Sequence, residues 1–347
     1  GVGAMTATTW VIYGLRVQVR RAMQLGQYFL EDKIGQGGMG AVYRASHAML
    51  RRPTAIKLLS ETTGSAVERF EREVQITARL THPNTVAVFD YGRTPDGVFY
   101  YAMEYLDGIT LEELVDASGP QPPARVVHVM LQVCGALREA HAEGLVHRDI
   151  KPANIMLTTR GGVSDFVKVL DFGLVKETEA RGIGAGDAAV TNASAILGTP
   201  HYMAPESILD PAAVDGRTDL YSLGATAFFL LTGKRVFEGT NLVEVCSKHI
   251  HEQPVAPSSL VPGVPEALDR VILACLAKKP EERPSDAKAL ETMLRETGIG
   301  PWTETAATHW WAKHGATRSR RELPTSVVLG DTIAVAIESR VRAGKAG

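Results

Sequence analysis

Cysteine is scarce. The 347 residues contain three, Cys134, Cys246 and Cys275, far apart and without a CxxC pair. That excludes a disulfide scaffold or a zinc module and suits a reducing compartment, so a cytoplasmic location is expected. Long apolar runs are missing too. The longest candidate, Ala225–Leu231, is far shorter than the ~20 residues a membrane-spanning helix needs. Neither sign of charge dominates: 37 Lys+Arg against 39 Asp+Glu give a net charge of −2. No global field recruits nucleic acid or anionic lipid, and no nucleic-acid partner is expected. No internal repeat stands out. What remains is ordinary globular composition, 45% hydrophobic and 22% charged, in a length that suits two domains or one bilobal domain.

The chain opens at Gly1 without an initiator methionine, and Met5 or Met23 could each be a start. Thr9–Val19 is apolar but runs into Arg20 and Arg21 without a small-residue cleavage site. Residues 1–25 therefore read as an amino-terminal extension.

Strand signals follow at Phe29-Leu30, Ala41–Arg44 and Ala55–Leu59, and again at Val86–Phe89 and Val98–Met103 around the turn Thr94-Pro95-Asp96-Gly97. Between the two groups Ser65-Ala66-Val67-Glu68 forms a capping box. It opens a helix with Val67, Phe70, Val74 and Thr77 on one face. After Gly108 the texture turns helical. Val126, Met130, Val133, Leu137 and His141 keep a 3.6-residue spacing, and Asp219–Leu231 is apolar nearly all round, as in a helix at the centre of a lobe. Pro280–Leu290 leads into a last amphipathic helix. A strand-rich region ahead of a helix-rich one defines an α+β chain of two lobes.

Three motifs carry chemistry. Gly35-Gln36-Gly37-Gly38-Met39-Gly40-Ala41-Val42 lets a backbone close over phosphates and offers amide donors without side-chain bulk. A dinucleotide-binding turn would need those glycines to open a helix, whereas here they run into strand-like Ala41–Arg44. A plain glycine turn is the bland alternative. Lys57 ends the apolar strand Thr54-Ala55-Ile56-Lys57, where a lysine needs a neutralising partner. Glu73, beside Phe70 and Thr77 on the helix, fits that part, with two unrelated surface residues as the alternative. The third motif is the strongest: His147-Arg148-Asp149-Ile150-Lys151-Pro152-Ala153-Asn154, then Asp171-Phe172-Gly173.

With these motifs, and with Gly198-Thr199-Pro200-His201-Tyr202-Met203-Ala204-Pro205-Glu206, Asp219, Gly224 and Arg283, the chain resembles the eukaryotic-type (Hanks-type) protein kinases. Within them it resembles the bacterial serine/threonine protein kinases. The resemblance covers about residues 26–295. It implies a bilobal fold: an amino-terminal lobe at 26–104, small and antiparallel β with one helix, and a larger mainly helical lobe at 107–295. Residues 296–347 fall outside as an extension or linker.

The resemblance also implies roles. ATP, with Mg²⁺ and with Mn²⁺ as an alternative, would donate its γ-phosphate to protein serine or threonine hydroxyls. Asp149 would orient the hydroxyl and accept its proton, and Lys151 would stabilise the moving phosphoryl group. Asn154 and Asp171 would hold the metal, hard oxygen donors for a hard cation. Lys57, paired with Glu73, would bind the α- and β-phosphates. The nucleotide pocket would take in Ile34, Gly35, Gln36, Gly37, Gly38, Met39, Gly40, Val42, the gatekeeper Met103, and Glu104 and Leu106. Thr199 would select the hydroxyl, Glu206 and Arg283 would form a structural ion pair, and Asp219 would anchor the catalytic loop.

Control would run through the loop 174–197. Its middle, Gly182–Ala189, has little apolar area to offset the entropy of ordering. A phosphate on Thr191 would supply the missing interaction, received by Arg148, Lys176 and Arg69. Self-phosphorylation would bring two copies together as a kinase–kinase dimer. In the carboxyl-terminal stretch, Trp302, Trp310 and Trp311 are aromatic enough to pack on the large lobe, and His309–Lys313 reads as a short helix; between a partner-docking role and a solvated linker for the stretch, the linker is favoured. A catalytically inactive pseudokinase scaffold is the rival reading. The presence of Lys57, Glu73, Asp149, Asn154 and Asp171 together weighs against it. A small-molecule kinase is disfavoured by the Ala204-Pro205-Glu206 segment.

Overall fold

A computed structural model describes residues 24–37, 40–59, 71, 74–94, 97–172 and 200–315. Two compact units emerge. One takes in the chain up to Ser60, Gly92–Tyr105 and the residues from Ala312 on, the other Glu61–Tyr91 and Leu106–Trp311.

Strands β1 (Gln24–Leu25), β2 (Tyr28–Gly37), β3 (Gly40–His47), β4 (Pro53–Leu59), β5 (Val88–Arg93) and β6 (Phe99–Glu104) form one sheet in the order β1-β2-β3-β4-β6-β5. β2–β3, β3–β4 and β4–β6 pair antiparallel. Alternate side chains of β2, β4 and β6 bury Tyr28, Leu30, Ile56, Tyr100 and Ala102 in the core of the small unit. The glycine motif joins β2 to β3 as a hairpin, with Gly37 opposite Gly40, and opens no helix. Gly40 has φ 143°, and a Cβ there would stand 1.8 Å from the Leu58 carbonyl oxygen, so β4 approaches too closely for any side chain.

The expected strands fall inside β2, β3, β4 and β6 to within a residue, with one exception. The strand expected at 86–89 starts at Val88 and runs to Arg93. Its first residues are captured elsewhere: Thr85 bridges Val169 in parallel, and Val86 donates its N–H to the Val169 carbonyl at 3.0 Å. An open strand edge took them.

In the large unit a three-stranded sheet runs β7 (Gly108–Thr110), β8 (Ile155–Arg160), β9 (Val163–Val169). Helices α1 (Leu111–Ser118), α2 (Pro123–Ala142), α3 (Pro205–Leu209), α4 (Gly216–Thr232), α5 (Leu242–His251), α6 (Glu266–Cys275), α7 (Ala287–Glu296) and α8 (Glu304–His314) accompany it. α1 starts at a capping box, Thr110 with Glu113. α4 starts at Asp215, ends at left-handed Gly233 and is buried almost all round, as its apolar sequence requires. Pro280–Glu282 is a single 3-10 turn, and the amphipathic helix begins at Ala287 behind the cap Asp286. Over 298–315 the carboxyl-terminal stretch is folded: Ile299, Trp310 and Trp311 pack against the main core. Among the described residues no helix is long and apolar enough to cross a membrane.

One connecting loop is fixed within this unit. The Glu139 carboxylate on α2 accepts from the Thr81 N–H (2.9 Å), the Thr81 hydroxyl (2.8 Å) and the His82 N–H (2.8 Å). Asn84 donates to Gln132 Oε1 at 2.9 Å and to the Val167 carbonyl at 2.8 Å. Burial pushes the Glu139 carboxyl up, but these donors outweigh it and hold the group below its ordinary value.

Candidate active site

The site in the large unit starts from a buried carboxylate. Asp219, in the first turn of α4, is fully buried and accepts the backbone N–H groups of His147 and Arg148, each at 2.8 Å. His141 Nε2 lies 2.8 Å from the same carboxylate. His141 lies on the apolar face of α2 in the sequence pattern, and here it is a polar partner. The neighbouring Gly216 is needed, since a Cβ there would meet the His141 ring at 2.7 Å. This grip holds Arg148 at φ 62°, a left-handed conformation that persists only where surroundings over-determine it.

The loop so held presents Asp149. Its carboxylate Oδ2 takes Lys151 Nζ at 2.9 Å and Asn154 Nδ2 at 2.9 Å, and Asn154 Nδ2 also donates to the Asp149 carbonyl at 2.8 Å. The amide nitrogen of Asn154 is thus committed to Asp149, which turns its oxygen away. His147 joins this loop to the next segment. Its Nδ1 accepts from the Asp149 N–H (3.2 Å), its Nε2 donates to the Leu170 carbonyl (2.7 Å), and its ring lies 4.7 Å from that of buried Phe172. That pairing calls for the Nε2–H tautomer. Leu170 in turn donates its N–H to the Asn154 carbonyl at 2.9 Å, so Asn154 and Asp171 sit on adjacent, hydrogen-bonded backbone. Asp171 is itself left-handed, at φ 46°.

Asn154 and Asp171 therefore carry one amide oxygen and one carboxylate on adjoining backbone. Among the described residues no group of three His, Cys, Asp or Glu side chains could hold a metal ion. Two oxygen donors fit Mg²⁺, which keeps waters and substrate phosphates in its shell rather than a full protein cage.

Below the loop, Glu206 and Arg283 pair bidentately at 2.7 Å and 2.7 Å, and the Thr218 hydroxyl donates to Glu206 at 2.7 Å. Burial raises the Glu206 carboxyl, but Arg283, with Thr218, outweighs it and the group stays below its usual range.

In the small unit Lys57 is buried on β4, opposite Val42 on β3 and Tyr101 on β6, with Nζ 5.9 Å from the centre of the Tyr101 ring. Met103, buried, and Glu104 pair with Ala55 and Thr54 at the end of β6. Gly35 and Gln36 face Val42 and Ala41 across the hairpin, and Ile34 is exposed. Leu106 begins the second segment of the large unit. Gly38, Met39, Arg69, Glu73, Gly173, Lys176, Thr191 and Thr199 lie outside the described residues.

A loop with a buried aspartate anchor and the Asp171-Phe172 segment beside it is suited to phosphoryl-transfer chemistry, where positioning and charge neutralisation dominate. The protein kinase domain family matches residues 28–294, and the chain belongs to it. It is similar to the serine/threonine-protein kinases pkn3 (40% identical over 274 residues, 78% of this chain and 49% of that protein) and Pkn1 (42% over 276 residues, 79% and 38%) of Myxococcus xanthus. It is similar also to PknB of Mycobacterium tuberculosis, 40% identical over 274 residues, 77% of this chain and 42% of that protein. The chain thus spans less than half the length of the curated relatives it matches. In fold it is similar to Rad53 1-466, solved in complex with AMP-PNP, with a TM-score of 0.61 and 22% identity over 77% of this chain and 64% of that one.

Proposed function

We propose that this chain is a protein kinase that moves the γ-phosphoryl group of ATP to serine or threonine hydroxyls of proteins, itself included. The observation that carries the reading is the Asp149 carboxylate, whose Oδ2 is held by both Lys151 and Asn154. The hydroxyl oxygen attacks the γ-phosphorus, the bond to the β-phosphate oxygen breaks, ADP leaves, and the hydroxyl proton passes to Asp149. Lys151, paired with Asp149 in this state, supplies positive charge to the transferring oxygens. Asn154 and Asp171 would hold Mg²⁺, with Mn²⁺ as an alternative. When bound, the metal offsets the charge of the phosphate oxygens. Lys57, buried among apolar neighbours, holds the α- and β-phosphates, with Glu73 as its partner. The hairpin Gly35–Gly40, with Ile34 and Val42, covers the nucleotide, and Met103, Glu104 and Leu106 meet its base. Thr199 selects the hydroxyl, and phosphorylation of Thr191, received by Arg148, Lys176 and Arg69, orders the loop in a kinase–kinase encounter.

The test is transfer of radiolabelled phosphate from ATP to a generic basic protein and to the chain itself, wild type beside Asp149→Asn. Label that depends on Asp149 supports the reading. Nucleotide binding with no label in wild type makes the chain a pseudokinase instead.

A further inference from the structure

Asp165 is fully buried and its carboxylate accepts four hydrogen bonds. Arg125 gives two, Nε to Oδ2 and Nη2 to Oδ1, both at 2.8 Å. The other two come from the carboxyl-terminal stretch: Trp302 Nε1 to Oδ2 at 2.7 Å and Trp311 Nε1 to Oδ1 at 2.8 Å. Arg125, 1% exposed, has its guanidinium 4.3 Å from the Trp310 ring centre and 5.3 Å from that of Trp302. A buried ion pair of this kind is tolerable only when its remaining lone pairs are satisfied, and here the two indoles satisfy them.

The place matters more than the pair. Between Thr158↔Phe166 and Arg160↔Val163 the β8–β9 ladder shifts register, so β9 supplies Ser164 and Asp165 where β8 supplies Thr159. Asp165 is therefore one of the two extra-count residues of a β-bulge, and its φ of 53° is left-handed. The other, Ser164, donates its N–H to Glu304 Oε1 at 2.9 Å, again in the carboxyl-terminal stretch. From the bulge the ladder runs without a slip to Ile155↔Val169, whose next residues are Asn154 and Leu170-Asp171. A bulge that relaxes shifts the register by one residue, about 3.3 Å along the strand, more than two ligands of one cation tolerate.

We propose that the indole N–H groups of Trp302 and Trp311 are positioning groups for the metal-binding pair: by completing the Asp165 carboxylate they pin the bulge that sets Asn154 against Asp171. The proposal rests on the kinase reading for the role of that pair. A segment beyond the family's matched range thus acts on the phosphate end of the site through one strand.

The experiment uses the full chain with Trp302→Phe and Trp311→Phe combined, which keeps the rings and removes the donors. ATP affinity is measured by calorimetry across a Mg²⁺ titration. The Mg²⁺ concentration for half-maximal affinity should rise about 10-fold, the scale of lost outer-shell support. Amide hydrogen exchange should quicken at Val167, Val169 and Leu170. Leu290→Ala, a fully buried side chain of α7, is the control for general destabilisation and should leave the Mg²⁺ dependence alone. If the double variant melts as low as the control yet keeps wild-type Mg²⁺ dependence and exchange, the indoles only pack, and the proposal is overturned. If the double variant does not fold, each single variant should shift the titration part of the way, and no shift in either overturns the proposal equally. A wild type that binds MgATP but transfers no phosphate defeats the kinase reading, and the titration still decides this one. A wild type with no Mg²⁺-dependent ATP affinity overturns both.

Discussion

Lys151 Nζ stands 2.9 Å from the Asp149 carboxylate, on the oxygen that Asn154 Nδ2 also reaches at 2.9 Å. The proposed proton acceptor, the proposed cation for the phosphoryl group and the proposed metal ligand are therefore mechanically one object. Changing any of the three moves the others.

Asp149→Asn leaves a side chain of the same size that accepts a proton poorly. Transfer should fall by about two to four orders of magnitude, the usual worth of a positioned base, with nucleotide affinity retained. Single-turnover label transfer beside equilibrium ATP binding checks this. Wild-type turnover in the variant would mean that another base serves.

Lys57→Met keeps the length and apolar packing of a buried position while removing its charge. The expected loss is about two to three orders of magnitude in kcat, as for removal of one preorganised donor. An unchanged kcat removes Lys57 from the mechanism.

Gly40→Ala places a methyl where the Leu58 carbonyl oxygen stands, at a φ of 143° that a side chain resists. The hairpin must shift away from β4. The KM for ATP should rise several-fold and stability should fall by about 1–3 kcal/mol, read from urea unfolding. A variant with wild-type KM and midpoint would show that the close approach is not maintained in solution.

Glu206→Gln breaks the charge pair and leaves buried Arg283 facing a neutral amide. About 3–5 kcal/mol of unfolding free energy should be lost, since the remaining charge is uncompensated. A urea midpoint equal to wild type counts against the pair as a structural tie.

Acid should unfold the large unit through His249. It is fully buried, its Nδ1 lies 2.8 Å from the Tyr221 hydroxyl, and burial, with Lys278 and His201 nearby, lowers its pKa to about 3. The folded state therefore binds fewer protons than the unfolded one between pH ~6.5 and about 3. Stability from this group is intact above that window and declines as pH falls through it, by about 1.4 kcal/mol per unit. His249→Gln should flatten the decline in a melting series from pH 7 to 4. An identical slope in both proteins would assign the acid sensitivity to other groups.

Residues whose chemistry needs short sequence spacing are legible in the chain. His147 to Asn154 spans one loop, so Asp149, Lys151 and Asn154 stand within a few residues of one another. The strands of the small unit read well because each carries its own apolar alternation. Val86 did not, because its partner Val169 is brought in from the far side of the chain. The tryptophan contacts are hidden for the same reason: Trp302 and Trp311 reach Asp165 across 137 and 146 residues. An aspartate in a seven-residue strand gives no sign of the bulge it makes. His141 misled in a different way, since a helix face fixes direction and not polarity.

The loop from Thr81 to Asn84 is bonded to Glu139, Gln132 and Val167 although it lies in the chain between β4 and β5 of the small sheet. The two units are therefore interleaved along the sequence. Cleaving the backbone after Glu104 would not release an amino-terminal module: it would carry off a piece of its neighbour's foundation. Ribosomal synthesis meets the same order, so that loop leaves the ribosome before α2 and β9 and must wait for them before it has anything to hold.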